Sequence, residues 1–399
     1  MQDLSAECYA LTGDIRHFPN TLKGDRISNQ QYQFFVKEPT RGLSPLFHRN
    51  LFAPSLNHGV NMLLLISSML RWIKRSPLKA ISLILSAILL SLLIQMPAVD
   101  AVNWENSFNS GVYHFAVGNF KAAILSDGLL NLPPLPTYAP AADPEEVEQA
   151  MVERFWSPDE LSLYFNALYV DTGTHQVLID TGAGTELGAG LAKLTQNLHS
   201  AGIRPQDIDI VVITHAHPDH IGGIVAPDGQ LTFPNAEYYI SAAEWQFWMA
   251  ETVDLSPLKI PDQFQQGMKS AAQKHLGAIA NQIYQFQPDQ EIVPGITAIA
   301  APGHTPGQSA LRITSEASQL IVAADVFFNE AFDLEHPDWQ TGFDLNPPQA
   351  AQTRRRLLNQ IAGDRTMVIA YHMPFPALGY VRSWGDRYEW EPVLWQFDP

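Results

Sequence analysis

From Val112 onward the chain alternates short apolar runs with turn residues. VYHFAVGNFKAAILSDGLLNLP carries apolar positions on both sides of Gly118-Asn119, which predicts a hairpin turning there. SPDELSLYFNALYVDTGTHQVLIDTGAG repeats the arrangement: two apolar runs flank the turn Asp171-Thr172-Gly173-Thr174, and the second strand ends at Asp180. ELGAGLAKLTQNLHSAG changes to helical spacing and stops at Gly202. DIDIVVIT, residues 207–214, is apolar without alternation, the pattern of a strand covered on both faces. NAEYYI reads as a further strand. Residues 242–283 read as helical, AAEWQFWMAETV and then PDQFQQGMKSAAQKHLGAIANQI, and form one long helical insertion. A second strand-rich half follows, with strands in EIVPGITAIAAPGHT, SALRIT and QLIVAADVFF. It ends with a helix around PPQAAQTRRRLLNQIAG and a strand in TMVIAYHMPF.

Strands and then a helix, twice over, predict an α/β fold. Two sheets pack face to face with helices outside, a four-layer αββα sandwich carrying the helical insertion. No linker, low-complexity tract or short-period repeat divides residues 102–399, which are expected to form one domain.

The front end is different. Residues 71–79, RWIKRSPLK, hold four positive charges, Ala80 to Ile94 hold none, and QMPAVDA follows with Val99 and Ala101. Basic, apolar and small-residue segments in that order are a secretory signal pattern. The apolar run is short for a spanning helix, which needs roughly 20 residues. Residues 69–101 are therefore expected to be a signal peptide cleaved after Ala101, or else a retained N-terminal anchor touching the membrane only through residues 80–94. Either places the body outside the cytoplasm, periplasmic or secreted. Met62 and Met69 both precede the basic stretch. Residues 1–68, without periodicity, are expected to be a non-native or disordered extension arising from an upstream start codon.

Charge narrows the partners. The formal net charge is −17. The first 101 residues carry 10 Lys+Arg and 6 Asp+Glu, so 14 basic and 35 acidic residues remain from Val102 onward. Phosphate recognition draws on clustered Lys and Arg, so so acidic a body disfavours nucleic-acid partners. Arg354-Arg355-Arg356 is the one basic run in the body and is expected to be a solvated helix face. With Cys8 the single cysteine, no disulfide forms within the chain, and a metal site in the body must use His and carboxylate.

THAHPDH, residues 214–220, places three histidines and an aspartate directly after an apolar run. Ionisable groups that dense cost desolvation and mutual repulsion unless a cation compensates them. Other strand ends supply more: His304 follows ITAIAAPG, Asp325 follows QLIVAA and His372 follows MVIAY. Strand-end loops are where functional groups collect. Seven ligands are too many for one four-coordinate zinc but suit two divalent ions. His215, His217 and His304 are assigned to one, Asp219, His220 and His372 to the other, with Asp325 bridging. Taken singly, each of these histidines is more often structural or exposed; the cluster is what carries the assignment. His114, His175, His199 and His275 are read as ordinary, and His336, in DLEHPDW, stays ambiguous.

HxHxDH followed by His304, Asp325 and His372 resembles the signature of the metallo-β-lactamase superfamily. The resemblance runs from about Val112 to Phe397 and implies an αββα sandwich with a dinuclear site at one edge. LIDTGAG, residues 178–184, also resembles the family; it implies that Asp180 supports the His-rich loop, while Asp171 in VDTGT is a turn residue. Within the superfamily the chain is most similar to methyl parathion hydrolase and its relatives. GVYHFAVGNFKAAILSDGLLNLP, ITHAHPDHIGGI, FPNAEYYISAAEWQFW, VPGITAIAAPGHTPGQS, HMPFPALGYVR and RYEWEPV carry that likeness. It implies an exported enzyme that binds two zinc-type ions and cleaves phosphotriesters; neighbouring branches open lactones, including acyl-homoserine lactones. FFNEAFDLEHPDW departs from that pattern and leaves substrate choice open.

The expected chemistry is hydrolysis of an uncharged hydrophobic ester, phosphotriester or lactone. Two cations sharing a water lower its pKa toward about 7, and the hydroxide attacks the carbonyl or phosphoryl centre. Asp219 or Asp325 would pass a proton to a basic leaving group. The pocket wall is expected from Trp245, Phe247 and Trp248, although these could instead anchor their helix, and from Phe327, Phe328, Phe332 and Phe375 beside the ligands. No Lys or Arg adjoins the motifs, which suits a phosphomonoester poorly. The alternatives are an acyl-homoserine lactonase acting in quorum quenching, a β-lactamase, a tRNA-processing nuclease, a diiron oxygen-reducing protein and a non-catalytic metal-binding protein. A bridging Asp325 opposes the β-lactamase. The acidic body and export signal oppose the nuclease. His217, where glutamate is usual, opposes the diiron protein. Oligomeric state is open, a homodimer included.

Overall fold

The computed structural model describes residues 110–188 and 190–396. The expected extension at 1–68 and the signal or anchor at 69–101 lie outside the described residues.

Seven strands form the first sheet in chain order: β1 (Val112–Val117), β2 (Phe120–Leu132), β3 (Leu161–Asp171), β4 (Gln176–Ile179), β5 (Ile210–Ile213), β6 (Glu237–Ser241) and β7 (Ile283–Phe286). β1 to β4 pair antiparallel and β4 to β7 parallel. The second sheet holds β8 (Glu291–Val293), β9 (Ile296–Ala300), β10 (Ser309–Ser315), β11 (Ser318–Val322), β12 (Met367–Ile369), β13 (Leu378–Trp384) and β14 (Arg387–Pro392), again as sequential neighbours. Among the described strands there only β11 and β12 pair parallel. The crossover between them contains the helix of Pro347–Asp364.

Side-chain alternation along the strands builds the layers. On β5, Ile210 and Val212 enter the core between the sheets. Val211 and Ile213 point the other way, into the core beneath the helices. All four are at most 3% exposed, which explains an apolar run without alternation. Each such side chain contributes about 2 kcal/mol of transfer free energy. Against the outer face of the first sheet lie α1 (Pro144–Val152), α2 (Leu194–Ser200), α4 (Ala242–Trp248) and α5 (Asp262–Ala278), through residues such as Met151, Leu198, Trp248 and Leu276. A short α3 (Pro218–Ile221) begins inside the His-rich motif. α6 (Pro347–Asp364) covers the second sheet with Leu357, Leu358 and Ile361. The four layers expected from the chain are therefore present.

Three details differ from the sequence expectation. The helical run expected from Glu186 to Gly202 shrinks to Leu194–Ser200, because Gly188 at φ 105° and Ala192 at φ 64° break it. The two helical segments of the insertion are shorter than expected, Ala242–Trp248 and Asp262–Ala278, and its last residue, Ile283, opens the edge strand β7. Helix α1 and the hairpin of β13 and β14 had no counterpart in the hydrophobic pattern. Among the described residues no helix is long and apolar enough to cross a membrane.

Candidate metal centre

The seven residues reach one place from four strand ends. His215, His217, Asp219 and His220 leave β5, His304 sits between β9 and β10, Asp325 follows β11 and His372 follows β12. Their ligand atoms form two groups, His215, His217, His304 and Asp325, and Asp219, His220, Asp325 and His372. Within each group these atoms all lie within 4.8 Å of one another, and Asp325 belongs to both. Asp325 Oδ1 is 3.2 Å from His220 Nε2, while its Oδ2 is 3.1 Å from His372 Nε2, 3.4 Å from His304 Nε2 and 3.6 Å from His215 Nε2. Asp219 Oδ2 lies 3.4 Å from His220 Nε2 and 3.3 Å from His372 Nε2.

The backbone is shaped to make this approach. Pro218 starts α3, and the following Gly222 and Gly223 pack directly on the loop after β4. A Cβ at Gly222 would meet the Ala183 carbonyl oxygen at 2.1 Å, and one at Gly223 the Thr181 carbonyl oxygen at 2.0 Å. Only glycine lets the two segments lie so close. Asp180 in that loop takes φ 60°, and Ala324, next to Asp325, takes φ 49°. Left-handed backbone at non-glycine residues persists only where the surroundings over-determine it, and it collects at functional sites.

Hydrogen bonds orient the rings. His220 Nδ1 faces Asp180 Oδ2 at 2.8 Å, and Asp180 also accepts from the Thr214 N–H and hydroxyl, both at 2.8 Å. His304 Nδ1 lies 3.0 Å from Asp344 Oδ1, and His372 Nδ1 lies 2.7 Å from the Tyr164 carbonyl oxygen. With Nδ1 donating in each case, loss of any proton on Nε2 leaves that atom a lone pair turned into the cluster, the arrangement that orients histidine ligands of metals. Asp180 thus stands where the family resemblance implied, and Asp171 accepts from Gly173 N in its hairpin turn.

A divalent cation fits this donor set. The Nε2 atoms of His215 and His220 and the Oδ1 of Asp325 are buried without a hydrogen-bond partner. Buried polar atoms are almost always satisfied, so three orphans in one cluster call for a cation. His304 Nε2 and His217 Nδ1 stand 2.9 Å apart, as nitrogens converging on one ion would. Imidazole with carboxylate is the donor chemistry of zinc and similar ions.

Electrostatics within the cluster is polarised. Burial, with the neighbouring His220 next in weight, holds His215 well below the ordinary histidine value; burial and His304 do the same to His217. For Asp219, burial pushes up, but His220 and His372 prevail and keep the carboxylate well below its usual range. For Asp325, burial is likewise overcome, by His372, His220 and His215. Against the pull of burial, Asp325 and Asp219 raise His220 well above its ordinary value, and Asp325 leads in pushing His372 up to about 9. Protons on His220 and His372 thus carry the positive charge that a bound cation would replace.

Three supports carried no motif. Glu244, fully buried on α4, accepts from Ala216 N at 2.9 Å and Trp248 Nε1 at 2.7 Å through Oε1. Its Oε2 accepts from the Thr305 hydroxyl at 2.6 Å and Gly307 N at 3.0 Å. It thereby clamps the His215–His217 segment to the loop of His304. Asp127 accepts from Ala183 N and Leu194 N and ties the β2 bulge to the loop after β4. Asp344 orients His304. A lone charged residue among the apolar positions of AAEWQFW is the one sequence signal that could have flagged Glu244.

Above the cluster lies a cavity with Asp219, Asp325, His217, His304 and His372 in its floor. Leu130 and Leu132 of β2, Leu163 and Phe165 of β3, and Phe264 and Met268 of α5 form its walls. Phe328, Phe343 and Tyr138 complete them. Among the described residues no lysine or arginine lines it. The expected pocket aromatics are corrected accordingly. Of them Phe328 lines the cavity; Trp245, Trp248, Phe332 and Phe375 do not. Trp248 is fully buried behind His217, ring centroids 5.8 Å apart, bonded to Glu244. Trp245 and Phe247 anchor α4 on the helix-side core. Phe332 packs on Trp339, and Phe375 on the core between the sheets. Phe327 is extended, at φ −149° and ψ 146°, so consecutive side chains diverge: Phe327 enters that inter-sheet core and Phe328 the cavity. His336 stacks on Trp339 at 3.8 Å and belongs to neither ligand group. His275 is buried between α5 and Glu186, 3.0 Å from its Oε1.

Comparison with known proteins adds the following. Residues 164–372 match the family model described as the Metallo-beta-lactamase superfamily. AidC, a dizinc quorum-quenching lactonase solved in complex with a product, is 29% identical with a TM-score of 0.69, over 72% of this chain and 99% of that one. The hydrolase AbOPH, in the beta lactamase superfamily, shares the fold at 24% identity and a TM-score of 0.66, over 73% of this chain and 100% of that one. An N-acyl homoserine lactonase of Bacillus cereus is 26% identical over 219 residues, 51% of this chain and 76% of the relative.

Proposed function

The chain belongs to the metallo-beta-lactamase superfamily and is a metal-dependent hydrolase of lactone or ester bonds, and on that premise we propose that it opens the ring of an uncharged lactone bearing an apolar acyl group. The observation that carries the reading is the cavity: apolar walls without a lysine or arginine among the described residues, closed at the floor by five residues of the seven-residue cluster. A phosphomonoester or free carboxylate would enter without a countercharge, whereas an acyl lactone offers a neutral carbonyl and a chain to bury. The similarity to lactonases supports the same choice.

We assign one ion to His215, His217 and His304 and a second to Asp219, His220 and His372, with Asp325 shared and zinc as the metal. Bound there, the ions supply an acidified water and polarisation of the scissile carbonyl. The chain does the rest. Asp180, Asp344 and the Tyr164 carbonyl fix the rings. The apolar wall excludes competing water and seats the acyl chain. Asp219, with Oδ2 turned to His220 and His372, is assigned as proton carrier through its other oxygen to the leaving alkoxide, which is basic enough to need one.

Phosphotriesters are the second reading. They are also neutral, and the long motif likeness to methyl parathion hydrolase and its relatives supports them. Export with cleavage after Ala101 belongs to the same proposal, and N-terminal sequencing of the natural product tests it; a mature start within residues 1–60 would refute it. The activity is tested by offering the metal-loaded protein acyl-homoserine lactones of increasing chain length, methyl parathion, nitrocefin and 4-nitrophenyl phosphate. Lactone turnover rising with chain length is expected, with none on the phosphomonoester. Absence of lactone turnover alongside phosphotriester turnover selects the second reading, and absence of both refutes the proposal.

A further inference from the structure

Eight buried side-chain polar atoms lack a hydrogen-bond partner among the described residues, and four of them belong to residues of the metal cluster. The others are Tyr138 Oη, Arg154 Nε, Asn166 Oδ1 and Gln308 Oε1. Only Tyr138 among these residues lines the cavity above the metal cluster. It is 4% exposed, with its ring against Phe328 and Phe343. A phenol there costs the desolvation of its hydroxyl, which a phenylalanine would avoid while filling the same wall. An unsatisfied buried group of this kind needs an explanation, and a catalytic role is a recognised one.

None of the charged groups near the hydroxyl hydrogen-bonds it. Asp219 and Asp325 face the histidines. Asp333 already accepts from Phe328 N and Asn329 N, with Arg354 at 3.3 Å. Burial, and then the charges of Asp219, Asp325 and Asp333, push the phenol well above its ordinary value, so it stays protonated and serves as a donor. Its position is held as well. The Thr137 carbonyl oxygen accepts from Gly342 N at 2.6 Å and from the Thr341 hydroxyl at 3.3 Å. The same short loop presents Asp344 to His304. Tyr138 and a metal-ligating ring are therefore registered by one segment.

We propose that Tyr138 is a further catalytic residue, its phenol O–H donating a hydrogen bond to the carbonyl or phosphoryl oxygen of the neutral substrate in the cavity. The inference rests on the hydrolase reading above. No bond to the phenol is made or broken; its proton stays on Tyr138 while the oxygen under attack gains negative charge, so the bond strengthens toward the transition state.

Tyr138→Phe tests this in the metal-loaded full chain, assayed on an acyl lactone and on a 4-nitrophenyl ester, with thermal unfolding measured beside them. Removing one donor to a developing oxyanion lowers turnover by about 10²- to 10³-fold at the upper end, and a fall in kcat of at least about tenfold with KM little changed is expected. The fall should be similar on both substrates, which share a carbonyl and differ in leaving group. The Tm should stay level or rise, because the variant loses an unsatisfied hydroxyl. Wild-type turnover in the variant overturns the proposal. So does a Tm lowered by several degrees, which would give the hydroxyl a structural partner, or a fall confined to the lactone, which would make it an acid for the leaving group. A wild-type chain inactive on every substrate overturns the hydrolase reading instead.

Discussion

Glu244 offers the sharpest test of how the site is built. Its carboxylate receives four donors, two on each oxygen, from Ala216, Trp248, Thr305 and Gly307. Burial raises its pKa, and the four donors pull the other way. Glu244→Ala would strand all four donors in a fully buried site. At about 1–3 kcal/mol for each unsatisfied group, the loss is at least about 4 kcal/mol, a large share of a domain's roughly 5–15 kcal/mol. Glu244→Gln is the informative variant. Its amide oxygen keeps two donors, but whichever way it is turned the NH₂ group opposes the other two. A loss of about 2–4 kcal/mol, or roughly 5–10 °C in Tm, is expected, with the fold retained. The damage should be local, because Ala216 lies between His215 and His217 while Thr305 follows His304. The ion held by those three histidines should leave first, and metal analysis after dialysis against a weak chelator should read nearer one ion than two. A Glu244→Gln protein with wild-type Tm and wild-type metal content would refute the clamp.

Asp325→Ala should remove most bound metal, since its oxygens face both groups; full metal content with full activity would end the bridging assignment. His304→Ala should cut turnover by orders of magnitude in a chain that still folds, and near-normal turnover would show that it is not a ligand. Gly223→Ala forces a Cβ to 2.0 Å from the Thr181 carbonyl oxygen, so the His-rich loop must shift; a metal affinity and Tm equal to wild type would contradict the packing. Stability should depend on pH in the metal-free protein. His372 is raised from 6.5 to about 9 in the fold, so its contribution is complete below pH 6.5 and is lost as pH rises through about 9. Chelator-treated protein should show that decline in Tm, and zinc-loaded protein should not. Zinc added near pH 7.5 should release protons from His220 and His372, read by titration calorimetry in two buffers of different ionisation enthalpy; equal heats would argue against it.

Much of this molecule could be read along the chain because its strongest signals are local. A strand covered on both faces must be apolar at every position, as β5 is, and a hairpin must turn on residues such as Gly118 and Asn119. Metal ligands are conspicuous for a related reason: clustered ionisable residues directly after apolar strands are too costly to exist without compensation. The seven clustered residues were legible on those grounds, and the place of Asp180 through the family resemblance. Which groups hold the rings was not. Glu244, Asp344 and the Tyr164 carbonyl act across 28 to more than 200 residues of chain, and one buried acceptor leaves no periodic trace. Nor could adjacency to a ligand settle the pocket, since successive extended residues point to opposite sides and Phe327 and Phe328 part company there. The cavity's walls, and Tyr138 with them, come from strands and loops that only the packing of the first sheet against its helices brings together. Local patterning thus decided which residues carry the chemistry, and long-range packing decided what each of them faces.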